Sequence, residues 1–148
     1  MSIIQKNINI FDAKADLLVH QVNNIGVMGS GLAKQIREHY PQVFKEYSDF
    51  CIKTHPDCLL GVAQIVNISD DFSVCNLFGQ EGFGKNKRYT RYDALTIGFE
   101  QINEKFAGKT VAIPYGLGCG LGGGNWEIVF TIIKETLTDC NIVICKYP

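Results

Sequence analysis

The chain has 148 residues, 46% of them hydrophobic, and a formal net charge of −1 from 14 basic and 15 acidic side chains. These values fit one globular domain over residues 1–148 and give no long-range field that would attract nucleic acid or anionic lipid. The chain shows no signal-peptide pattern and no apolar run near the roughly 18 residues of a membrane span, so we expect a cytoplasmic protein without a membrane partner. We also expect a monomer that does not bind nucleic acid.

Hydrophobic periodicity alternates between strands and helices along the chain. In the first half it predicts strands over residues 2–10 and 17–22, helices over residues 32–40 and 43–50, and a hairpin of strands 62–68 and 72–78 joined by a Ser-Asp-Asp turn. In the second half it predicts a helix over residues 92–106 closed by Gly108, a strand over 110–114, a helix capped by Asn125, and a strand over 141–145. The pattern implies an α/β fold, a mixed sheet covered by helices on both faces.

Two glycine-rich loops each follow a predicted strand and precede a predicted helix. The larger loop has six glycines among residues 116–124, and the smaller one runs from Gly26 to Gly31. Glycine lets backbone N–H groups approach a ligand closely, and a helix N-terminus adds unpaired donors and partial positive charge. Because ligands of such sheets bind at the carboxyl ends of the strands, the two loops together predict a diphosphate site.

Other phosphate-binding motifs fit this chain less well. Residues 118–123 satisfy the GxGxxG pattern of dinucleotide-binding domains, but only 25 residues follow Gly123, too few for the remaining units of that fold. Neither loop ends in the Gly-Lys-Ser/Thr of a P-loop. The basic stretch of residues 85–91 could contact a phosphate or stack on a base, or it could be a solvated loop.

Both loops resemble those of the macrodomain family. The segment Leu18-Val-His-Gln-Val-Asn-Asn-Ile-Gly-Val-Met-Gly-Ser-Gly-Leu-Ala33 is similar to the first ligand loop of macrodomains, and Ile113-Pro-Tyr-Gly-Leu-Gly-Cys-Gly-Leu121 is similar to their diphosphate loop. The resemblance spans nearly the whole chain and favours the branch of yeast-type ADP-ribose 1″-phosphate phosphatases and terminal ADP-ribose hydrolases. It implies a three-layer α/β/α fold with a mixed, mostly parallel sheet. The implied ligand is ADP-ribose or a derivative, and no cofactor is implied.

The same resemblance implies a set of ligand contacts. The adenine is expected at Asn9 and Ile10, where Asn9 replaces the acid of most relatives and would weaken adenine binding. The remaining contacts are expected from Gly26, Met28, Gly29, Ser30, Gly31, Tyr115, Gly116, Leu117, Gly118, Cys119, Gly120 and Leu121. Tyr115 and Phe83 would form an aromatic wall, although core filling explains each about as well.

The resemblance also implies hydrolysis of the terminal phosphate of ADP-ribose 1″-phosphate, with His20, Asn23 and Asn24 as catalytic residues. His20 interrupts a buried apolar strand, where an imidazole needs a partner or a role in chemistry. It would activate water or protonate the leaving oxygen, while Asn23 and Asn24 orient the terminal ribose. The alternatives are a structural core histidine and an ordinary turn at the two asparagines.

Two positions depart from relatives that remove ADP-ribose from glutamate or thymidine. Those relatives use a lysine after the fourth strand, and the protein-glutamate enzymes also use an aspartate after Gly-Cys-Gly-Leu, whereas this chain has Gln80 and Gly122. The departures disfavour that activity. The alternatives to a phosphatase are a reader of ADP-ribose that performs no chemistry and a hydrolase of O-acetyl-ADP-ribose or other ADP-ribosyl esters.

Six cysteines are scattered without a CxxC pair, which predicts reduced thiols. Cys119 could have a lowered pKa because the amide dipoles of its loop favour a thiolate, but its small size is reason enough for its presence. His55, Asp57 and Cys58 are bunched in one turn without a distant partner pair, which is a poor pattern for zinc. We predict no metal site.

Overall fold

Six strands form one mixed sheet in the computed structural model, which describes residues 1–29 and 31–147. They are β1 (Ile3–Lys6), β2 (Leu17–Asn23), β3 (Ala63–Ser69), β4 (Phe72–Gln80), β5 (Thr110–Pro114) and β6 (Asn141–Cys145). The spatial order is β1-β6-β5-β2-β4-β3. The hairpin partners β3 and β4 are antiparallel, and all other neighbours are parallel. The predicted hairpin and mostly parallel sheet are confirmed.

Helices cover both faces of this sheet. They are α1 (Gly31–His39), α2 (Pro41–Lys53), the short α3 (Pro56–Leu59), α4 (Tyr92–Lys105) and α5 (Trp126–Thr136). One core layer joins the sheet to α1 and α2, and another joins it to α4 and α5. The three-layer α/β/α prediction is confirmed. Within the described ranges, no helix is long and apolar enough to cross a membrane.

The central strand β2 is buried on both faces, as its almost continuous apolar sequence predicts. Leu18 packs in the core layer of α1 and α2, while Leu17 and Val19 pack in the layer of α4 and α5. Because side chains alternate along a strand, His20 lies on the α1–α2 side and Gln21 on the α4–α5 side. Polar groups at the end of β2 therefore reach both sides of the sheet.

The sequence prediction differs from the structure at two short elements. The first strand ends at Lys6 rather than at residue 10, because Ile10–Asp12 forms a 3-10 turn that Asn9 caps by accepting the N–H of Phe11. Helix α3 was not predicted, since its four residues are too few to show a helical period. The predicted Asn125 cap of α5 is confirmed by its bond from the N–H of Glu127 (2.9 Å).

Candidate ligand-binding site

A cavity of about 670 Å³ opens at the carboxyl ends of β2, β4 and β5. Small-molecule sites in proteins usually measure about 300–1,000 Å³, so its size suits a nucleotide-like ligand. Gly29 and Gly31 border it from the first glycine loop, and residues 115–118 and 120–122 border it from the second. The two loops therefore meet across one crevice, as the sequence predicts.

Most of the predicted site residues line this cavity: His20, Asn23, Met28, Gly29, Gly31, Tyr115, Gly116, Leu117, Gly118, Gly120 and Leu121. Asn9, Ile10, Asn24, Gly26 and Cys119 are not among its lining residues. Ser30 lies outside the described residues.

The wall also contains residues that were not predicted as ligand contacts: Gln21, Val22, Val27, Leu32, Ala33, Gln80, Gly84, Lys85, Pro114 and Gly122, together with the suspected aromatic wall residue Phe83. Of these residues, Lys85 could have been suspected from the sequence, because it belongs to the basic stretch of residues 85–91. Phe83 is 56% exposed and Tyr115 is 40% exposed. These exposures fit a cavity rim better than core filling.

The charge of this cavity favours an anion. Among its described lining residues, Lys85 is the one cationic side chain and no carboxylate is present. A second cavity, of about 520 Å³, lies at the opposite ends of the strands and is lined by Asp16 and Asp71 as well as Lys14. Two carboxylates would repel a diphosphate, so the cavity between the glycine loops is the better anion site.

Thr90 holds the second glycine loop against the end of the sheet. Its Oγ1 donates to the carbonyl of Gly118 (2.7 Å), and its N–H donates to the carbonyl of Gly122 (3.0 Å). A Cβ on Gly118, where φ is +76°, would come within 2.8 Å of Gln21 Oε1, and a Cβ on Gly122 would collide with Thr90 Oγ1. Glycine is therefore needed at both positions for the loop to approach β2 this closely.

Backbone donors remain available on both sides of the crevice. The N–H groups of Gly118, Gly120 and Leu121 have no acceptor among the described residues. The first residues of α1, Gly31 and Leu32, begin a helix whose opening N–H groups have no intrahelical partner. Such donors, with the positive end of the helix dipole, suit an oxyanion.

The Asn23 side chain holds its loop and also lines the cavity. Its Oδ1 accepts from the N–H of Ile25 (3.1 Å) and lies 2.7 Å from the hydroxyl of Tyr47, and its Nδ2 donates to the carbonyl of Val27 (2.8 Å). Burial raises the pKa of Tyr47 above its ordinary range, so this hydroxyl stays a donor. These bonds fit the turn alternative, and a contact of Asn23 with the ribose stays a prediction.

Asn24 makes structural contacts on both sides of its amide, and its contact with a ribose stays a prediction. It is 4% exposed, its Nδ2 donates to the carbonyl of Pro56 (3.1 Å), and its Oδ1 accepts the N–H of Gly82 (2.9 Å). The second bond anchors the start of the segment that carries Phe83 and Lys85. Asn24 thus affects the cavity indirectly, because it holds the segment that forms part of the cavity wall.

His20 is buried against β4. The side chain is 1% exposed, and its Nε2 lies 2.5 Å from Oδ1 of Asn76 on β4. Burial lowers the pKa of His20 from 6.5 to about 4, against a smaller raising effect of the Asn76 hydrogen bond. A ring that is neutral at pH 7 is better suited to activating water than to protonating a leaving oxygen, and its catalytic role stays a prediction.

The geometry bears on two further expectations. Burial raises the pKa of the Cys119 thiol, which removes the thiolate alternative. The oxygen of Asn9 accepts the Phe11 N–H, and Ile10 is 7% exposed within the core. Their contact with an adenine stays a prediction.

The model of the macro domain family matches residues 19–133. The chain belongs to the macrodomain family. Within the described part of this macrodomain, all six cysteines are free, and no group of three or more His, Cys, Asp or Glu side chains could hold a metal ion.

Relatives of this macrodomain include much longer proteins. It is 29% identical to a DNA ADP-ribosyl transferase–DNA ADP-ribosyl glycohydrolase fusion protein of Thermosipho africanus, over 94% of this chain and 40% of that protein. It is 27% identical to a DNA ADP-ribosyl glycohydrolase of Mycobacterium tuberculosis, over 95% of this chain and 40% of that protein. The chain thus spans less than half the length of these relatives. A match of 36% to an ADP-ribose 1″-phosphate phosphatase of Chaetomium globosum covers 39% of this chain and 32% of that protein.

Solved structures share the macrodomain fold. The macrodomain of Mycobacterium tuberculosis DarG superposes with a TM-score of 0.79 at 26% identity, over 99% of this chain and 97% of that one. A protein of unknown function from Bacteroides thetaiotaomicron superposes with a TM-score of 0.88 at 24% identity, over 99% of this chain and 98% of that one.

Gln80, at the position where ADP-ribosyl-removing relatives are expected to carry a lysine, has a structural role in this macrodomain. Its Oε1 accepts from Gln21 Nε2 (3.0 Å), and its Nε2 donates to the carbonyl of Gly82 (2.9 Å). Both bonds fix the base of the segment that brings Lys85 to the cavity. Gln80 and Lys85 therefore both line the cavity, five positions apart.

Proposed function

We propose that this macrodomain binds ADP-ribose, or a molecule that carries it, between the two glycine loops and hydrolyses the bond at C1″ of the terminal ribose. The observation that supports this most is the set of N–H donors without an acceptor on residues of both loops that border one cavity, whose described lining has Lys85 and no carboxylate. A diphosphate is anionic and accepts hydrogen bonds at every oxygen, so it matches that wall. The likeness to DNA ADP-ribosyl glycohydrolases, over 94–95% of this chain and 40% of those proteins, supports the ligand.

The proposal also specifies which bond at the terminal ribose is broken. The likeness to glycohydrolases extends over 94% of the chain, against 39% for the phosphatase. A phosphatase reaction would also have to proceed without His20 as an acid, since its pKa is lowered to about 4. We therefore favour cleavage of a glycosidic bond from ADP-ribose to a larger molecule. Dephosphorylation of ADP-ribose 1″-phosphate is the second candidate.

Lys85 has a defined role in this proposal, because its ammonium pairs with an oxygen of the diphosphate. When the glycosidic bond breaks, the leaving group takes the electron pair. Water adds its oxygen to C1″, and the proton that the water loses neutralises the leaving group. The loop amides and Lys85 keep the diphosphate fixed while this happens.

The binding step is tested by calorimetry with ADP-ribose and a pair of lysine variants. Lys85→Ala should weaken binding about tenfold, since a charge-assisted contact to phosphate is lost. Lys87→Ala is the matched control: its Nζ lies over the Tyr89 ring (5.2 Å) and it does not line the cavity. Equal losses in both variants, or equal binding of ATP and ADP-ribose, would contradict the proposed site.

The reaction is tested with three substrates in parallel: an ADP-ribosylated DNA oligonucleotide, ADP-ribose 1″-phosphate and O-acetyl-ADP-ribose. Release of ADP-ribose from the oligonucleotide, reduced in Lys85→Ala, supports the favoured reaction. Release of phosphate alone supports the second candidate. Binding of ADP-ribose without turnover of any substrate identifies a reader and overturns the hydrolase proposal.

A further inference from the structure

The backbone that leads into the first glycine loop has few backbone hydrogen bonds to hold it. The N–H groups of residues 25–29 donate to no backbone carbonyl among the described residues. Yet Val27, Met28 and Gly29 border the cavity, and α1 begins just after them. Because polar backbone groups need partners, side chains must replace the missing backbone bonds. The position of this part of the cavity wall therefore depends on side chains.

The side chain of Asn23 makes several of these bonds. Its Oδ1 accepts from the N–H of Ile25 (3.1 Å) and from the N–H of Val27 (3.3 Å), and its Nδ2 donates to the carbonyl of Val27 (2.8 Å). A backbone carbonyl can only accept, so the Val27 carbonyl decides which end of the Asn23 amide is the NH₂ group. Residues 25–27 thus fold around a single side chain.

Tyr47, on α2, holds Asn23 from the interior of the protein. Its hydroxyl lies 2.7 Å from Asn23 Oδ1, 2.8 Å from the backbone carbonyl of Asn23 and 3.5 Å from the carbonyl of Val27. All three oxygens are acceptors, so the hydroxyl must be the donor. Tyr47 is fully buried and is not part of the cavity wall. It therefore acts on a ligand only through the residues that it holds.

The ring of Tyr47 is fixed independently of its hydroxyl. It stacks on the ring of Phe78 on β4, with 5.6 Å between the ring centroids. It also belongs to the core cluster of Val22 and Met28. Loss of the hydroxyl alone would leave this packing in place. A change from tyrosine to phenylalanine therefore isolates the contribution of the hydroxyl.

The second glycine loop is held by a similar device, because the buried Thr90 donates its hydroxyl proton to the carbonyl of Gly118. We propose that Tyr47 is a positioning residue of the binding site, whose hydroxyl holds the first glycine loop where the opening N–H groups of α1 can bind the diphosphate. This inference rests on the proposed function. Each glycine loop then has one buried hydroxyl that sets its distance from the other loop.

Calorimetry with ADP-ribose and with ADP tests this role in Tyr47→Phe. Both ligands carry the diphosphate, so the affinity for each should fall about fivefold. Tyr40→Phe is the matched control, because Tyr40 directly precedes the same helix and lies outside the cavity wall. The measurement is made at a temperature where circular dichroism shows all three proteins to be folded. A merely structural role would lower the melting temperature of Tyr47→Phe and leave these affinities unchanged, which would overturn the proposal, as would equal losses in both variants.

Hydrogen exchange provides a second readout, which also covers poor folding of Tyr47→Phe. In the parent protein, the amides of Ile25 and Val27 should exchange slowly, because both donate to Asn23 Oδ1. In Tyr47→Phe they should exchange about tenfold faster, while amides of β6 keep the parent rate. Exchange in the parent protein at the rate of an unstructured chain, or equal rates in the parent and the variant, would refute the role of Tyr47. If no protein binds ADP-ribose, the proposed function fails, while the exchange rates still decide whether Tyr47 holds the loop.

Discussion

At the scale of single residues, the structure gives the polar side chains near the cavity hydrogen-bond partners that sequence reasoning did not identify. His20, Asn23 and Asn24 are buried where they were expected to be, near the end of a central strand. What the sequence could not give is their partners, because Asn76, Tyr47 and Gly82 lie 56, 24 and 58 positions away along the chain. Tertiary packing decides which side chains become hydrogen-bond partners. The pattern of neighbouring residues in the sequence does not predict this packing.

Burial of a neutral His20 makes stability depend on pH. The unfolded chain protonates this ring near pH 6.5, whereas the folded chain does so only near pH 4. Between these values the unfolded state binds more protons, so the free energy of unfolding falls as the pH decreases. We expect a loss of about 3 kcal/mol from His20 between pH 7 and pH 4.

Urea unfolding at several pH values measures this effect. The slope of stability against pH should be shallower in His20→Gln than in the parent protein over pH 4–6.5. His55→Gln, which alters an imidazole whose side chain is 68% exposed, should keep the parent slope. Parallel curves for the parent and His20→Gln would show that His20 is not held neutral.

At the scale of elements, the second glycine loop is shaped by β2 and by the segment before α4. Thr90 Oγ1 donates to the carbonyl of Gly118 and accepts from Gln21 Nε2 (3.0 Å), so it links strand and loop. Sequence analysis identified the loop from its glycines, because a backbone that must approach its neighbours closely is rich in glycine. Thr90 could not be identified in this way, since a single threonine is common in a polar stretch.

Thr90→Val removes the hydroxyl at nearly constant shape. It leaves one Gln21 hydrogen unsatisfied and removes one of the two donors to the Gly118 carbonyl, which keeps the N–H of Gly124 (2.8 Å), so we expect a loss of about 2 kcal/mol of stability and weaker binding of ADP-ribose. The control is Thr131→Val, because the exposed Thr131 hydroxyl only donates to the carbonyl of Glu127 in its own helix. Urea unfolding should place the control within about 0.5 kcal/mol of the parent protein. A Thr90→Val variant as stable as the control would contradict this role of Thr90.

At the scale of the whole molecule, layer order and sheet type could be predicted from the sequence. A strand buried on both faces shows a nearly continuous apolar run, as in β2, and the Ser69-Asp70-Asp71 turn identifies the antiparallel pair. The approach of the two glycine loops follows from strand order. The position of Lys85 could not be predicted, because exposed loops have no periodicity that tells which basic side chain turns toward the cavity.

The central claim is that amides of two glycine loops jointly bind the diphosphate of ADP-ribose. A crystal structure of the complex tests it most directly. We expect the diphosphate between the start of α1 and residues 118–121, with the terminal ribose beside His20 and Lys85 near a phosphate oxygen. A ligand bound instead in the cavity lined by Asp16 and Asp71, or a diphosphate that contacts only one of the two loops, would contradict the claim.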